Sequence, residues 1–364
     1  MHAWIRNAWE RKGIGGKALW ILLLPASYLY GLMVQVRNLF FSRGWVRTSA
    51  LERPVISIGN LTVGGTGKTP SCLWLARELS ERGFKVGILS RGYPRKETQP
   101  LIIGVGTNGL SPMQLRDEAS AAGDEPSMMA RIYNQTVGVG KDRYQTAVEL
   151  LRKHDVDVFI LDDGYQHRRL NRDVDLLLLG HDSNGCMLPS GPFREPRRAL
   201  RRADYFLLTG GQEEWQALLP EDGKTRCFAG VLRGVALVGF ESGRWKEYPL
   251  SLLYRSKILA VTGIADPTGF YRVIDEWEGD VVDVLQFPDH HSYSSRDWQE
   301  ISRLARNAEI VLTTEKDILK LITFPFARGK LLALRVAMTV ENSERLVQCI
   351  VEKIRDKTKA LRTA

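Results

Sequence analysis

The short, mostly apolar run Val55-Ile56-Ser57-Ile58 leads almost directly into Gly64-Gly65-Thr66-Gly67-Lys68-Thr69. A buried strand, a turn without side-chain bulk and a helix start, in that order, constrain the fold more than any other part of the chain. Such a turn lets several backbone N–H groups converge on one point. The helix start adds the positive end of its dipole, a lysine adds a point charge, and a hydroxyl adds a ligand for a divalent ion. This is the pattern of a phosphate-binding loop. Its strict spacing calls for glycine where this chain has Thr62, so the backbone freedom moves to Gly64 and Gly65. Pro70 suits the first turn of a helix, where its missing N–H is an orphan anyway, and Leu73, Leu75, Ala76 and Leu79 give that helix an apolar side. An ordinary glycine-rich turn is the plain alternative. The ordered succession favours nucleotide binding by Gly64, Gly65, Thr66, Gly67, Lys68 and Thr69, with Thr69 also a metal-ligand candidate.

At 364 residues the chain has room for one large domain or two of medium size. Its net charge of +9 suits an anionic partner: a nucleotide, a nucleic acid or an anionic membrane surface. Cys72, Cys186, Cys227 and Cys349 are scattered without a CxxC pair, which speaks for reduced structural thiols rather than a zinc site or a disulfide framework. Ala18 to Val36 is uncharged and mostly apolar. As a helix of about 19 residues it is roughly 28 Å long, close to the thickness of a bilayer's hydrocarbon core. Pro25 is expected to kink it, and Arg11, Lys12 and Lys17 before it and Arg37, Arg43 and Arg47 after it suit an anionic leaflet. A membrane anchor or monotopic insertion is the expectation. A buried core helix and a cleaved export signal are the alternatives, and export would strand an ATP-type site where there is no ATP.

Beyond a linker near Ser49 to Arg53, strand and helix signals alternate. Val86–Leu89, Thr136–Val139, Val158–Leu161, Asp175–Leu179 and Tyr205–Leu208 read as strands, with helices at Ser127–Tyr133 and Arg143–Lys153. Continuous rather than alternating apolar runs mean strands covered on both faces, hence a parallel sheet. Val231 to Trp245, with its Glu241-Ser242-Gly243 turn, reads as an antiparallel hairpin, after which α/β alternation returns up to a last strand at Leu331–Val336. The expected fold is α/β: a P-loop NTPase-like, doubly wound, mostly parallel sheet, a second smaller α/β lobe and an N-terminal membrane helix. The expected segments are 1–48 for the anchor, 49–224 for the nucleotide-binding and catalytic domain, and 225–364 for the hairpin and second lobe.

Several polar groups fall at the ends of these strands. Asp162 and Asp163 close the run from Val158; adjacent carboxylates there repel unless a cation offsets them, and Mg²⁺ beside a phosphate loop is the functional reading. Asp124-Glu125-Pro126 is either a helix cap or the source of a general base. Phe287-Pro288-Asp289-His290-His291-Ser292-Tyr293 is a capped loop or a site in which His290 tunes a carboxylate. Arg91 ends another strand, and Gln166-His167-Arg168-Arg169 continues from the acid pair. The stretch from Arg194 and Glu195 to Arg201 and Arg202 is a solvated basic face or a recognition site for phosphate on a substrate or lipid headgroup. At α-helical spacing Arg197 and Arg201 share a face, as do Arg198 and Arg202.

Taken together these motifs resemble those of the tetraacyldisaccharide 4'-kinases, the lipid A 4'-kinases of Gram-negative bacteria. The resemblance rests on Gly59-Asn60-Leu61-Thr62-Val63-Gly64-Gly65-Thr66-Gly67-Lys68-Thr69-Pro70, Ser90-Arg91-Gly92-Tyr93, Gly123-Asp124-Glu125-Pro126, Asp162-Asp163-Gly164-Tyr165-Gln166-His167, Gly191-Pro192-Phe193-Arg194-Glu195-Pro196, Phe287-Pro288-Asp289-His290-His291 and Thr313-Thr314-Glu315-Lys316-Asp317, in that order. It runs from the apolar segment to about Leu321. Pro94 stands where glycine is expected and Phe193 where leucine is usual. The resemblance implies transfer of the γ-phosphate of ATP, with Mg²⁺, to the 4'-hydroxyl of an acylated glucosamine disaccharide 1-phosphate, giving lipid IVA, at the cytoplasmic face of the inner membrane. By similarity Lys68 and Thr69 hold phosphates and metal, Asp162 and Asp163 serve the magnesium, Asp124 is the base with His290 as its partner, and Arg194 and Glu195 meet substrate or phosphates. Arg91, Gln166 and His167 join them as candidate substrate contacts.

The rival reading is a membrane-tethered nucleotide switch that hydrolyses without any lipid acceptor. A nucleic-acid-binding ATPase is disfavoured, because the arginines cluster by the proposed site without interleaved aromatics. Anionic lipids of the inner membrane are the expected partners besides the substrate, with no nucleic acid and no protein partner implied.

Overall fold

The computed structural model describes residues 3–92, 95, 97, 99–104, 110–219 and 221–363. Tyr93 and Pro94, at the end of the Ser90-Arg91-Gly92-Tyr93 motif, lie outside the described residues. The chain forms helices α1 (Ala3–Trp9) and α2 (Gly13–Ser42), strand β1 (Val55–Asn60), helix α3 (Lys68–Glu81) and strands β2 (Val86–Ser90) and β3 (Leu101–Ile103). Helices α4 (Pro112–Ala122) and α5 (Asp124–Arg131), strand β4 (Thr136–Val139), helix α6 (Arg143–Lys153) and strands β5 (Val158–Leu161), β6 (Val174–Leu179) and β7 (Tyr205–Leu208) follow. Helices α7 (Gln212–Leu218) and α8 (Glu221–Lys224) lead into strands β8 (Cys227–Glu241) and β9 (Arg244–Tyr248). The remainder runs β10 (Lys257–Thr262), α9 (Thr268–Glu276), β11 (Asp280–Gln286), α10 (Ser295–Leu304), β12 (Ile310–Thr314), α11 (Glu315–Leu321), β13 (Leu331–Val340) and α12 (Ser343–Thr363).

These elements gather into two compact units. The first holds Met1–Leu89, Leu151–Val231 and Met338–Ala364; the second holds Ser90–Leu150 and Leu232–Ala337. The contiguous division at 1–48, 49–224 and 225–364 expected from the sequence differs from this partition. The N-terminal helices belong with the first unit, residues 90–150 join the later segment, and α12 returns to the first unit. Composition along a chain carries no record of which segment folds back onto which.

In the first unit five strands run parallel in the order β7-β6-β1-β5-β2. Every residue of β1, β5 and β6 is buried, as continuous apolar runs require of strands covered on both faces. The connection after β1 runs toward β2 on one side, whereas β5 hands over to β6 on the other. The loop after β1 therefore opens at the point where strand order reverses, where ligands bind in such sheets. Tyr165, Leu177, Phe193, Phe206 and Trp215 fill the core beneath that end.

Helix α2 is longer than the span 18–36 expected from the sequence, and Pro25 sits inside it without ending it. Among the described residues it is the one helix long and apolar enough to cross a membrane. The core-helix alternative does not hold, because only Ser27, Gly31 and Val34 are buried along it. Leu22, Tyr28, Leu29, Leu32 and Met33 stand exposed. The other side is bonded to the first unit. Ser27 Oγ donates to Met187 O at 2.9 Å and accepts from Ser190 N, Tyr30 OH donates to Arg194 O at 3.1 Å, and Trp9 Nε1 of α1 donates to Pro189 O at 2.8 Å.

In the second unit β11, β10, β12 and β13 run parallel in that order. Strands β8 and β9 form the expected hairpin, turning through Ser242 and Gly243, both at positive φ. Ile258, Ala260, Ile274, Leu312 and Leu332 lie at its core. Gly92 has φ +68°, and a Cβ there would stand 2.3 Å from Val139 Cγ1 and 2.5 Å from Ala122 O, so no side chain fits.

Candidate active site

Helix α3 begins at Lys68 behind Gly67, which has φ 80° and ψ 25° and offers no side-chain cap to the N–H groups of Lys68 and Thr69. Gly64 has φ +133°, and a Cβ on Gly64 or Gly65 would meet nothing within 4 Å, so the loop is open around both. Lys68 folds back over it: Nζ donates to Gly64 O at 3.4 Å and lies 3.8 Å from Asp163 Oδ1. Behind the loop the buried Asn60 Nδ2 donates to Thr66 Oγ1 at 3.0 Å. Gln166 Nε2 donates to Asn60 O at 2.9 Å. Gln166, a candidate substrate contact on sequence grounds, is thus committed to the rear of the loop. Asn60, whose part the sequence reading missed, shapes it.

Asp162 and Asp163 follow β5 but point apart, because Asp163 takes φ 50°, a left-handed conformation that is uncommon outside glycine. Asp162 is buried and accepts from Cys72 Sγ at 3.4 Å. Asp163 is partly exposed and takes Arg194 Nη1 on both oxygens, at 3.0 and 2.9 Å. Asp162, Asp163 and the buried Thr69 hydroxyl carry the kind of oxygen that a hard divalent cation takes. Among the described residues no group of three or more His, Cys, Asp or Glu is gathered for a metal, so phosphate oxygens would have to complete the shell.

Glu195 differs from what a substrate contact requires, since its side chain is fully buried. Arg202 grips it through Nη1 at 2.7 Å and Nη2 at 3.1 Å, Asn38 of α2 donates at 2.7 Å, and Arg37 stands 3.6 Å away. Burial alone would raise its carboxyl, but those donors hold it below the ordinary value. Glu195 therefore joins α2 to the segment carrying Arg194. The basic run Arg197–Arg202 is a 3-10 helix, so the α-helical pairing of Arg197 with Arg201 does not arise. Arg197 is spent on Ser183 O and Asn184, and His167 is half-buried beyond the acid pair.

In the second unit Asp124 opens α5 behind Gly123, whose φ of 103° ends α4 and starts α5. Its carboxylate is largely buried. His290 Nδ1 lies 3.1 Å from Oδ2, and Lys320 Nζ of α11 lies 2.7 Å from the same oxygen. Burial pushes Asp124 up, and the bonds from His290 and Lys320 bring it below its ordinary value. His290, at φ 60°, is raised first by its bond to Asp124, against burial and with help from Asp289. The sequence reading placed Asp124 and His290 in one site and missed Lys320. The available signal was helical: Lys316 and Lys320 are four apart, and they meet Glu125 and Asp124, neighbours at the start of α5. Arg91 is exposed just after β2.

A family model described as tetraacyldisaccharide-1-P 4'-kinase matches residues 19–355. This chain belongs to the tetraacyldisaccharide 4'-kinase family. Its relatives within the tetraacyldisaccharide 4'-kinases include the protein of Syntrophus aciditrophicus, 36% identical over 96% of this chain and 98% of that one. The protein of Geobacter sulfurreducens is 41% identical over 83% of this chain and 84% of its own length. Among solved structures, the LpxK of Aquifex aeolicus in complex with ATP is 34% identical. It aligns with a TM-score of 0.76 over 92% of this chain and 99% of that chain.

Proposed function

We propose that this protein transfers the γ-phosphate of ATP to the 4'-hydroxyl of tetraacyldisaccharide 1-phosphate, producing lipid IVA and ADP. The observation that carries the reading is Lys68 lying over an open glycine turn, between Gly64 O and the Asp163 carboxylate. An ammonium held there by weak contacts is poised to exchange them for phosphate oxygens. The loop amides and Lys68 grip the β- and γ-phosphates, and Arg194 neutralises charge beside them. Thr69, Asp162 and Asp163 would hold Mg²⁺, which when bound offsets the phosphate charge that builds as the bond to ADP breaks. The Asp124 carboxylate takes the hydroxyl proton as the new O–P bond forms, and His290 and Lys320 keep that carboxylate charged and oriented.

The lipid acceptor gives α2 its purpose. Its leucines Leu22, Leu29 and Leu32 are exposed, while the bonds made by Ser27, Tyr30 and Asn38 hold the second half of the helix to the segment 187–195. A helix with this exposed apolar side and these basic flanks serves to insert at an anionic cytoplasmic leaflet, where the acceptor lies. The deciding experiment supplies γ-labelled ATP, Mg²⁺ and tetraacyldisaccharide 1-phosphate in detergent micelles. Label should appear on the sugar and vanish in Lys68→Ala. Lipid-independent release of labelled phosphate, with none on the sugar, would instead support a nucleotide switch.

A further inference from the structure

We propose that Lys320 is a positioning residue for the phosphoryl transfer, clamping one oxygen of Asp124 so that the other is left to take the acceptor proton. The inference rests on the reading of Asp124 as the base and extends it to a residue outside every motif quoted from the sequence. Lys320 Nζ and His290 Nδ1 both meet Oδ2, at 2.7 and 3.1 Å, so Oδ1 is outside this pair of contacts. A carboxylate gripped through a single oxygen has its rotation about the Cβ–Cγ bond set, and the remaining oxygen is presented in one direction.

The ammonium is itself held. Its side chain is only 11% exposed, so it is not a solvated surface charge. Nζ also donates to His291 O at 3.0 Å, which ties the same ammonium to the loop that carries His290 in its left-handed conformation. On its own helix Lys320 lies 3.9 Å from Asp317 Oδ1. Asp317 is buried and fixed in turn, its Oδ2 accepting from Gly263 N at 2.9 Å and from Thr314 Oγ1 at 2.7 Å. The start of α11 is anchored by Glu315, which accepts from Tyr133 OH at 2.7 Å and Arg335 Nε at 3.0 Å, and by the pair of Lys316 with Glu125. Helices α5 and α11 are therefore tied twice, by Lys316 with Glu125 and by Lys320 with Asp124, and Lys320 is the tie that touches the base.

The test compares Lys320→Met, Lys320→Arg, Asp124→Asn and the double variant K320M/D124N in the full-length enzyme, assayed in micelles with lipid acceptor and ATP. The expected result for Lys320→Met is a kcat at least about tenfold lower, with the KM for ATP within about threefold of the parent. Lys320→Arg should restore part of the loss. The His290 imidazole, followed by NMR, should titrate at higher pH in Lys320→Met, because Asp124 then gives its charge to the histidine alone. In the Asp124→Asn background Lys320→Met should cost nothing further, as expected if it acts only through that carboxylate. Unchanged kcat in a folded Lys320→Met enzyme, or a full additional loss in the double variant, would overturn the proposal. Near-normal turnover in Asp124→Asn would instead remove the base reading itself. Should Lys320→Met not fold, Lys320→Arg with its His290 titration still decides: a partial loss of kcat together with a shifted titration counts for the clamp, and a shifted titration with an unchanged kcat, or a lost kcat with an unshifted titration, counts against it.

Discussion

At Asp124 burial pushes the carboxyl toward neutrality, and the bonds from His290 and Lys320 push harder the other way. The pair with His290 carries its own pH signature. His290 is raised above 6.5 in the folded state, so its contribution to stability is complete below that value and is lost as pH rises through the folded pKa. Asp124 is lowered below 3.8, so its contribution is complete above that value and is lost as pH falls through the folded pKa. The Tm difference between the parent and His290→Gln should therefore be largest between roughly pH 4 and 6.5 and shrink above it, measured by calorimetry across the range. Asp124→Ala should lower kcat by about a hundredfold to ten-thousandfold while ATP still binds, as read by steady-state kinetics and a nucleotide-binding titration. These positions also mark how far single residues were legible. The glycine turn, Lys68 and the acid pair announce themselves by spacing. Gln166 and Glu195 do not, because a polar residue turned inward to serve a backbone carbonyl or a buried arginine looks the same in sequence as one turned toward substrate.

Among the elements, the parallel strands were readable because burial on both faces leaves an uninterrupted apolar run, as in β1, β5 and β6. Helix α11 was not, since its polar residues are spent on α5 and on β13 rather than on solvent. Helix α2 shows both sides of the problem: its composition gave away the apolar face, and only the fold reveals the polar seam. That seam predicts two separable effects. Glu195→Gln leaves the partly buried Arg202 beside a neutral amide and should cost about 3 kcal/mol, seen as a lower Tm in thermal unfolding. Replacing Leu22, Leu29 and Leu32 with serine removes exposed apolar surface only. It should move the protein from the membrane pellet to the soluble fraction, with turnover on detergent-dispersed lipid nearly intact.

For the molecule as a whole, the expected α/β class and the mostly parallel strands match the structure, whereas the division of the chain does not. Periodicity reports what each segment is; it says nothing about which distant segment it returns to. ATP is expected to act unevenly on the two units. Hydrogen exchange should show strong protection at Gly64–Thr69 and around Asp162 and Asp163, with little change in β10 to β13. Equal protection throughout would count against nucleotide binding in the first unit alone.

The chain passes from one unit to the other four times, after Leu89, Leu150, Val231 and Ala337. No single cut can free either as an autonomous fragment, and no simple gene fusion can have joined them as finished modules. Deleting one stretch of the chain therefore damages both units together, and substitution is the way to vary one while the other stays whole.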